Sequence, residues 1–594
     1  MSKPNLADRL GALRARLDEA GLDGFVVPHA DAHQNEFLPP DAERLAWLTG
    51  FTGSAGTAVV LRERAAIFVD GRYTLQVRDQ ADGDLYEFRH LIEEPVAGWL
   101  TEHLPAGARL GYDPWLHTKS QAERLARAAD RAGAELVPVA ENPVDTTWTD
   151  RPPAPRTPVV PHEGRFAGRD SADKRTEIAE IIKGGGADAT VLTQPDSIAW
   201  LLNIRGADVD HTPLPLSFAI LHADASVDWF VAAEKLTDEL APHLGDRVRV
   251  HVPEAFADAL EGLAGRRVLV SADTAAAWVF DRLADAEVLR GDDPVTRPKA
   301  IKNTTELEGT RVAHLRDALA LARFLHWLDC TAPGGGVDEM SAAAKLEDFR
   351  RTGEHFRDTS FDTISGAGPN GAIVHYRVTP GTNRALGDGE LYLVDSGAQY
   401  LDGTTDVTRT IAIGTPTDEM RDRFTRVLKG HIALAALRFP AGTTGAQIDA
   451  FARAALWQAG IDYDHGTGHG VGSYLGVHEG PQRISKAGGS VALAPGMIVS
   501  NEPGYYRAGE YGIRIENLVA VSPAEDIVGG ERPMLGFETL TLAPIDRRLI
   551  DTVLLDRAER EWLDAYHARV ASEVGPLLDG DVRDWLMAAT APLA

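Results

Sequence analysis

Acidic residues stand at the ends of apolar stretches in the second half of the chain. The run Leu391-Tyr-Leu-Val ends on Asp395, a turn at Asp402-Gly403 follows, and a second, β-branched run carries Asp406. This pattern predicts two neighbouring strands that deliver two carboxylates to one place. Taken alone, acids near a hairpin are more often solvated turn residues than metal ligands.

The same arrangement occurs again further along the chain. The run Ile498-Val-Ser-Asn ends on Glu502, a Pro-Gly turn follows, and the returning run carries Arg514 and Glu516. Residues two apart on a strand share a face, so Arg514 can orient a carboxylate by charge-assisted hydrogen bonds. For this segment alone, a surface ion pair on a hairpin is the ordinary alternative.

Three histidines lie between these acidic segments, and they are His465, His469 and His478. Glycines on both sides of His469 remove side-chain bulk, as a ligand that projects into a crowded site requires. A lone histidine is more often structural than a ligand. The grouping of three, spaced by glycines, favours a functional site.

Together these segments supply four acids and one histidine. Crowded carboxylates repel one another and are costly to bury, so the cluster persists only if cations or protons neutralise it. Two divalent ions would do so. A set of carboxylate oxygens with one imidazole suits Mn²⁺, with Co²⁺, Fe²⁺ or Zn²⁺ as substitutes, and excludes a cysteine-based zinc site.

Composition and net charge indicate a globular protein and argue against nucleic-acid and membrane partners. Hydrophobic residues make up 44% and charged residues 25% of the 594, which is typical of a globular protein with more than one domain. The formal net charge of −28 makes nucleic acid and anionic membranes poor partners. We therefore expect no nucleic-acid partner and no membrane association.

The single cysteine, Cys330, cannot form an internal disulfide and is expected to be a small buried hydrophobe. A chain of this size with one thiol fits a reducing compartment. The charged N-terminal segment lacks the apolar core of a signal peptide, and no stretch offers about 18 uncharged apolar residues to span a bilayer. We expect a cytoplasmic protein.

Two proline-rich stretches, residues 151–161 and 291–298, predict linkers between three domains, 1–150, 151–300 and 301–594. The first two domains share one pattern of helix, buried strand, short helix and turn, which predicts one α/β architecture used twice. The two short helices of this repeat contain Leu45-Ala-Trp-Leu48 and Ile198-Ala-Trp-Leu201.

The third domain opens at Asn303, where a capping side chain followed three residues later by Glu306 marks a helix start. Strands and helices in two halves predict an α+β domain, a curved sheet covered by helices. The predicted helices are 307–328 and about 444–460, and the predicted strands are 391–394, 410–413, 497–500 and 513–521.

In combination, five motifs resemble those of the pita-bread metallopeptidases, which comprise methionine aminopeptidase, prolidase and aminopeptidase P, and most closely the long three-domain aminopeptidase P. The resemblance covers nearly the whole chain, and the closing residues 557–594 match more loosely. The motifs are Gly368-Pro-Asn-Gly-Ala-Ile-Val-His375, Asp395-Ser-Gly-Ala-Gln, Thr405-Asp-Val-Thr-Arg409, His465-Gly-Thr-Gly-His469 and Glu502-Pro-Gly-Tyr-Tyr506.

The resemblance implies the fold class, two creatinase-like N-terminal α/β domains followed by a pita-bread catalytic domain, and it implies a homodimer. It also assigns roles to residues. The implied metal ligands are Asp395, Asp406, His469, Glu502 and Glu516, with Asp406 and Glu516 as bridges. The implied catalytic residues are His375, His465, His478 and Glu502, with Arg514 and Tyr506 beside them.

The implied reaction is hydrolysis of the bond between an N-terminal residue and a following proline, by a hydroxide that bridges two metals. We expect Glu502 to take the proton of the water, and His375 and His478 to stabilise the oxyanion. His465 lines the pocket. The substrates would be short peptides with proline at the second position.

Three alternatives stay open. Prolidase uses the same metal cluster on dipeptides but usually has one N-terminal domain. Creatinase shares the fold without the metals, and the complete ligand set disfavours it. A scaffold that binds a protein partner and catalyses nothing is the third, and no ligand position has been lost to support it.

Overall fold

The computed structural model describes residues 5–593, which form two compact units. The first unit contains the residues up to Gly164 and Arg169–Thr296, and the second contains Arg165–Gly168 and the residues from Arg297 onward. Within the described residues, no helix is both long enough and apolar enough to cross a bilayer.

The first unit begins with a six-stranded mixed sheet in the order β4-β3-β2-β1-β5-β6. Its strands are β1 Gly24–Pro28, β2 Gly56–Leu61, β3 Ala65–Val69, β4 Glu87–His90, β5 Arg109–Tyr112 and β6 Glu135–Pro138. Its helices are α1 Leu6–Glu19, α2 Arg44–Thr49, α3 Gln76–Gln80, α4 Val96–His103, α5 Lys119–Ala132 and α6 Pro143–Thr147.

A second six-stranded sheet follows in the order β12-β11-β10-β8-β13-β14, beside a short β7-β9 pair. The strands are β7 Val160–Pro161, β8 Ala189–Leu192, β9 Ile204–Arg205, β10 Phe218–His222, β11 Val227–Phe230, β12 Val248–His251, β13 Arg267–Val270 and β14 Glu287–Arg290. The helices are α7 Gly164–Ala167, α8 Ser171–Gly184, α9 Pro195–Leu202, α10 Leu240–Leu244, α11 Phe256–Glu261, α12 Ala277–Arg282 and α13 Thr296–Ala300.

The predicted repeat is confirmed, because the two sheets share one topology. In each, the central strand (β1 or β8) is antiparallel to one neighbour and parallel to the other. Both central strands are fully buried, as their apolar runs predict. Helix α2 ends at Gly50 and α9 ends at Asn203, and both of these residues are in the left-handed region. Domain limits at residues 150 and 300 stay a prediction.

The second unit contains the long helix that the capping pattern predicts. Asn303 and Glu306 form a capping box, and the helix runs three residues further at each end than expected. Helix α16 had no predicted counterpart. The helices are α14 Thr304–Thr331, α15 Glu339–Arg351, α16 Asp418–Ala435, α17 Gly445–Trp457, α18 Arg557–Val574 and α19 Gly580–Ala589.

The strands of this unit form two principal sheets, β16-β17-β20 and β22-β21-β23-β26-β27, with a β24-β25 hairpin and a β15-β18-β19 sheet. The predicted strand 513–521 is two strands, interrupted at residues 515 and 516. The strands are β15 Phe356–Thr359, β16 Ile364–Ala367, β17 Leu391–Ser396, β18 Ala398–Tyr400, β19 Gly403–Thr404, β20 Val407–Ala412, β21 Gly468–Gly470, β22 Glu479–Ile484, β23 Ile498–Asn501, β24 Gly504–Arg507, β25 Tyr511–Arg514, β26 Asn517–Val521 and β27 Phe537–Thr539.

Helices cover the strands that carry the predicted site. One core cluster joins apolar side chains of α14, α16, α18 and α19 to β17, β20 and β25. Another joins the opposite side of α14 and the inner face of α15 to β16, β17 and β20. The prediction for Cys330 is wrong: its thiol is exposed, because it lies in the last turn of α14 beyond the buried Leu328.

Helices α16 and α17 approach closest at a glycine, which yields a stability prediction. A Cβ on Gly430 would lie 2.0 Å from the carbonyl oxygen of Ala452. We expect Gly430→Ala to force the helices apart and to destabilise the protein by about 1–3 kcal/mol, the cost of overpacking. Thermal unfolding measures this as a lower midpoint.

The matched control is Gly11→Ala inside α1, where no atom lies within 4 Å of the added Cβ. Alanine is the better helix former, so this variant should be neutral or slightly stabilising. An unchanged midpoint for Gly430→Ala would show that the two helices separate without cost.

Candidate metal centre and active site

Two antiparallel strands bring Asp395 and Asp406 together. Asp395 lies near the end of β17 opposite Thr408 of β20, and Asp406 immediately precedes β20. Both acids are buried, at 8% and 4% exposure. The strand pairing that the sequence predicts is therefore present, and both carboxylates lie at one end of it.

The second pair of acids flanks two other paired strands. Glu502 follows β23 and Glu516 precedes β26, and Asn501 pairs directly with Asn517 in these strands. The backbone N–H of Glu516 donates to the carbonyl of Thr408 at 3.2 Å. The hydroxyl of Thr408 donates to Glu516 Oε2 at 2.7 Å, so the two halves of the site are joined.

His469 lies in β21 and faces these acids. Its Nε2 is 3.5 Å from Asp406 Oδ2 and 3.5 Å from Glu502 Oε1. Its Nδ1 lies 2.9 Å from the carbonyl of Gly470, which assigns the proton to Nδ1 and leaves Nε2 to act as a ligand.

Glycines on both sides of His469 permit close contact between strands. A Cβ on Gly468 would lie 2.0 Å from the carbonyl oxygen of Ser500, and one on Gly470 would lie 2.1 Å from that of Glu479. No side chain fits at either position, so glycine is required on both sides of His469, as the sequence predicted.

Burial disfavours the charged form of two of these acids, Asp406 and Glu516. Burial raises the pKa of Asp406 to about 6, partly offset by the hydrogen bond with His469. Burial and then the charges of Asp406, Glu502 and Asp395 raise the pKa of Glu516 well above its usual value. Burial lowers the pKa of His469, but Asp406 and Glu502 outweigh it and raise that pKa to about 9. The site therefore attracts positive charge.

The donor atoms fit divalent cations. Asp406, His469 and Glu516 each offer a ligand atom within 4.8 Å of the others. The Oδ1 atoms of Asp395 and Asp406 are buried and have no hydrogen-bond partner among the described residues. A buried carboxylate oxygen without a donor is costly, and a cation would satisfy it. Oxygen donors with one imidazole suit hard or borderline divalent ions.

A chain of hydrogen bonds leads from Asp395 to His465. Arg514 donates from Nη2 to Asp395 Oδ2 at 2.6 Å and from Nη1 to the hydroxyl of Tyr506 at 2.5 Å. That hydroxyl lies 2.9 Å from His465 Nε2, and His465 Nδ1 lies 2.8 Å from the carbonyl of Gly466. The network orients the Asp395 carboxylate, and burial raises the pKa of Tyr506 to about 12.

Helix α17 holds the loop that carries His465. Arg453, whose side chain is fully buried, donates to the carbonyls of Tyr463 and His465 at 2.7 and 2.8 Å and pairs with Asp449 at 2.7 Å. The hydroxyl of Thr467 donates to the same Asp449 at 2.5 Å. The loop therefore rests on one buried arginine.

The other two predicted histidines lie in separate segments of the chain. The ring of His478 contacts that of His469 at a centroid distance of 4.3 Å. The next residue, Glu479, is buried between two lysines of the segment that precedes α14: Lys302 binds its Oε1, and Lys299 lies 2.9 Å from its Oε2. His375 is half-buried in the turn after a short 3-10 helix, Gly368–Ala372.

Several residues behind the acids had no predicted role in the site. His431 of α16 joins Asn501 and Asn517: its Nδ1 lies 3.1 Å from the carbonyl of Asn501, and its Nε2 lies 3.1 Å from Asn517 Nδ2. Arg409 donates to the carbonyl of Glu516 at 2.6 Å and to the hydroxyl of Tyr566 in α18 at 3.0 Å. The available signals were a polar Asn beside Glu502 and beside Glu516, and Arg409 at the end of the motif that contains Asp406.

Comparison with known families accounts for almost the whole chain. The model of metallopeptidase family M24 matches residues 308–523, and that of the C-terminal region of the M24 peptidases matches 533–593. Two models of the creatinase/prolidase N-terminal domain match residues 9–146 and 150–306.

Curated relatives are similar along their full length. A probable Xaa-Pro aminopeptidase P of Laccaria bicolor is 42% identical, over 99% of this chain and 94% of its own. Aminopeptidase P2 of Arabidopsis thaliana is 40% identical, over 99% of this chain and 88% of its own.

A solved structure has the same fold from end to end. The X-prolyl aminopeptidase of Caenorhabditis elegans, described as a cytosolic enzyme with a di-nuclear active site, superposes with a TM-score of 0.95 at 34% identity, over 99% of this chain and all of that one. The predicted fold class, creatinase-like α/β domains followed by a pita-bread catalytic domain, is thereby confirmed. The chain belongs to metallopeptidase family M24, in the form that carries creatinase/prolidase N-terminal domains.

Proposed function

We propose that this protein is a metal-dependent aminopeptidase that hydrolyses the bond between an N-terminal residue and a following proline. The observation that carries the proposal is the intact cluster of three buried acids, the partly buried Glu502 and His469, in a chain similar along its full length to proteins named Xaa-Pro aminopeptidase P. A scaffold without catalysis would have no need to keep this costly cluster.

The proposed ligands of two divalent ions are Asp395, Asp406, His469, Glu502 and Glu516, with Asp406 and Glu516 as the bridges. The free Oδ1 atoms of Asp395 and Asp406 support this assignment, as does the convergence of Asp406, His469 and Glu516. We propose Mn²⁺ as the ion, because the donors are mainly carboxylate oxygens, with Co²⁺, Fe²⁺ and Zn²⁺ able to substitute.

Two such ions, when bound, supply an acidified water and polarise the carbonyl that precedes proline. Glu502 accepts one proton of the attacking water and returns it to the departing proline nitrogen, so that acid and amine are released. Its Oε1 accepts a hydrogen bond from Ser500 at 3.0 Å, which holds the carboxylate in place. His375 and His478 donate to the oxyanion, and His465 lines the pocket beside Tyr506.

Proline explains why a dedicated site is required. Its nitrogen carries no hydrogen, its ring fixes φ, and it restrains the residue before it, so peptidases that bind that N–H fail. The site instead reads the ring and the free α-amine, which we place beside Asp395. Arg514 holds this carboxylate by an N–H···O bond of 2.6 Å. Acetylation of the substrate amine should therefore abolish cleavage.

The substrate class, the compartment and the oligomeric state are also proposals. We propose short peptides as the substrates, the cytoplasm as the compartment and a homodimer as the working form. The single thiol supports a reducing compartment, and the dimer rests on the family resemblance. Sedimentation at micromolar protein should give twice the mass of the chain; a monomer at every concentration would refute the dimer.

The first prediction concerns the reaction. Metal-stripped protein should release free arginine from Arg-Pro-Pro only after Mn²⁺ is added, because the acidified water needs the ions. Arg-Ala-Pro and the dipeptide Ala-Pro are the controls, and both should remain intact. The released amino acid is measured by chromatography.

The other outcomes discriminate between the alternatives. Cleavage of Ala-Pro alone would identify a prolidase. Cleavage of Arg-Ala-Pro at the same rate would remove the requirement for proline. If no peptide is cleaved with any of the four metals, the protein is a binding scaffold of this fold.

The second prediction concerns the metal ligands. Asp406→Asn should lower metal content and reduce kcat/KM by at least ~100-fold, since even partners that only orient ligands cost 10- to 100-fold. Metal content is measured by mass spectrometry after dialysis.

The matched control is Asp464→Asn. Asp464 is next to His465 in sequence, but its side chain is 78% exposed and pairs only with Lys486 among the described contacts. Its metal content and activity should not change. Full metal content and activity in Asp406→Asn would remove Asp406 from the ligand set.

A further inference from the structure

The segment that carries His375 has little regular structure of its own. Between β16 and β17, the chain forms one 3-10 helix, Gly368–Ala372, and then turns and bends up to residue 390. Loops of this length in a compact domain are ordinarily mobile or functional. A histidine that acts on a substrate from such a segment requires something that fixes the backbone.

One buried carboxylate accepts hydrogen bonds from several parts of this segment. Glu339, the first residue of α15, has 0% exposure. Its oxygens accept hydrogen bonds from the backbone N–H groups of Ala367 at 2.7 Å and Arg384 at 3.1 Å. They also accept from Asn370 Nδ2 at 2.9 Å and from the hydroxyl of Tyr376 at 3.0 Å. Every one of these donors belongs to residues 367–384.

Neutral groups alone satisfy this carboxylate in the described part of the chain. The guanidinium of Arg384 turns away from Glu339 and pairs with Glu390 at 2.8 Å. A buried carboxylate without a cation is costly unless donors saturate it. Here the donors come from both ends and the middle of one segment, so satisfying the charge also fixes the loop.

The same segment is pressed against the strand that ends at Arg514. A Cβ on Gly512 would lie 1.7 Å from the carbonyl oxygen of Gly371, so these two backbones are in direct contact. Tyr376 packs in a small apolar cluster with Leu393 of β17, and Tyr506 packs against that cluster. The loop therefore adjoins the strands that deliver Asp395 and Arg514.

We propose that Glu339 is a positioning residue: through its hydrogen bonds to residues 367–384, it holds the backbone that presents His375 to the substrate. The inference rests on the proposed function and deepens it. Glu339 touches neither the substrate nor the predicted ligands. Its contribution is made through His375, and that dependence can be measured.

The test is a double-mutant cycle with Glu339→Gln and His375→Ala, assayed on Arg-Pro-Pro with Mn²⁺. Glutamine has the same size, but its amide nitrogen cannot accept a hydrogen bond and would face the donors. Glu339→Gln should lower kcat by roughly 10- to 100-fold, the cost of a misplaced catalytic group. KM and metal content should change little, whereas the unfolding midpoint should fall, because buried donors lose their acceptor.

The double variant tests whether Glu339 acts through His375. In the His375→Ala background, Glu339→Gln should cost no more than about twofold, since independent sites would instead add. An undiminished loss in that background, or no loss in the wild-type background, would overturn the proposal. Equal losses of activity and metal content would also overturn it, because Glu339 would then support the metal centre.

Two further variants serve as a control and as a substitute in this test. Glu390→Gln breaks the ion pair with Arg384 in the same segment without touching Glu339, and it should stay within about threefold of wild type. If Glu339→Gln fails to fold, Tyr376→Phe removes a single donor and should show a smaller, equally non-additive loss. Inactive wild-type protein would instead refute the proposed function and leave Glu339 without a reaction to support.

Discussion

The second unit is organised around one electrostatic constraint: three buried carboxylates and the partly buried Glu502 lie close together and need compensating charge. Asp406 and Glu516 have raised pKa values because burial and their neighbours disfavour the ionised form. The arrangement is stable only if cations or protons neutralise these charges. Paired strands bring the acids from four points of the sequence, and glycines beside His469 allow the backbones to approach. A bound metal would therefore also stabilise the fold of this region.

A second layer of polar groups, the neutral His431 and the cationic Arg409 among them, supports the acids from behind. Burial and then the charge of Arg409 lower the pKa of His431 to about 3, so this imidazole stays neutral while it bridges Asn501 and Asn517. Arg409 links the backbone of Glu516 to Tyr566 in α18. The C-terminal region, which matches the family motifs more loosely, thus reaches the site through the hydroxyl of Tyr566 and through the ring of Trp562, which lies 6.0 Å from that of His431. Satisfied networks of this kind specify one arrangement of a core.

Local sequence patterns predicted part of the fold and part of the site. Acids at the ends of apolar runs, glycines around His469 and the Asn303 capping box all reappear in the structure, since each depends on residues near in sequence. Helix α16 was not predicted, although Thr417 caps its first turn and two acids follow it. The exposure of Cys330 was missed because tertiary packing decides which side of α14 is buried. Glu339 and His431 were missed for the same reason: their partners lie far along the chain, and no spacing rule connects them.

The buried pairing of Glu479 with Lys299 and Lys302 sets the length of any separable catalytic fragment. Both lysines precede residue 308, where the similarity to family M24 begins. A fragment cut at that boundary would keep the acid beside His478 and lose both of its counter-charges, a defect worth about 3–5 kcal/mol. The working boundary of the peptidase therefore lies before Lys299, inside what similarity alone assigns to the preceding domain.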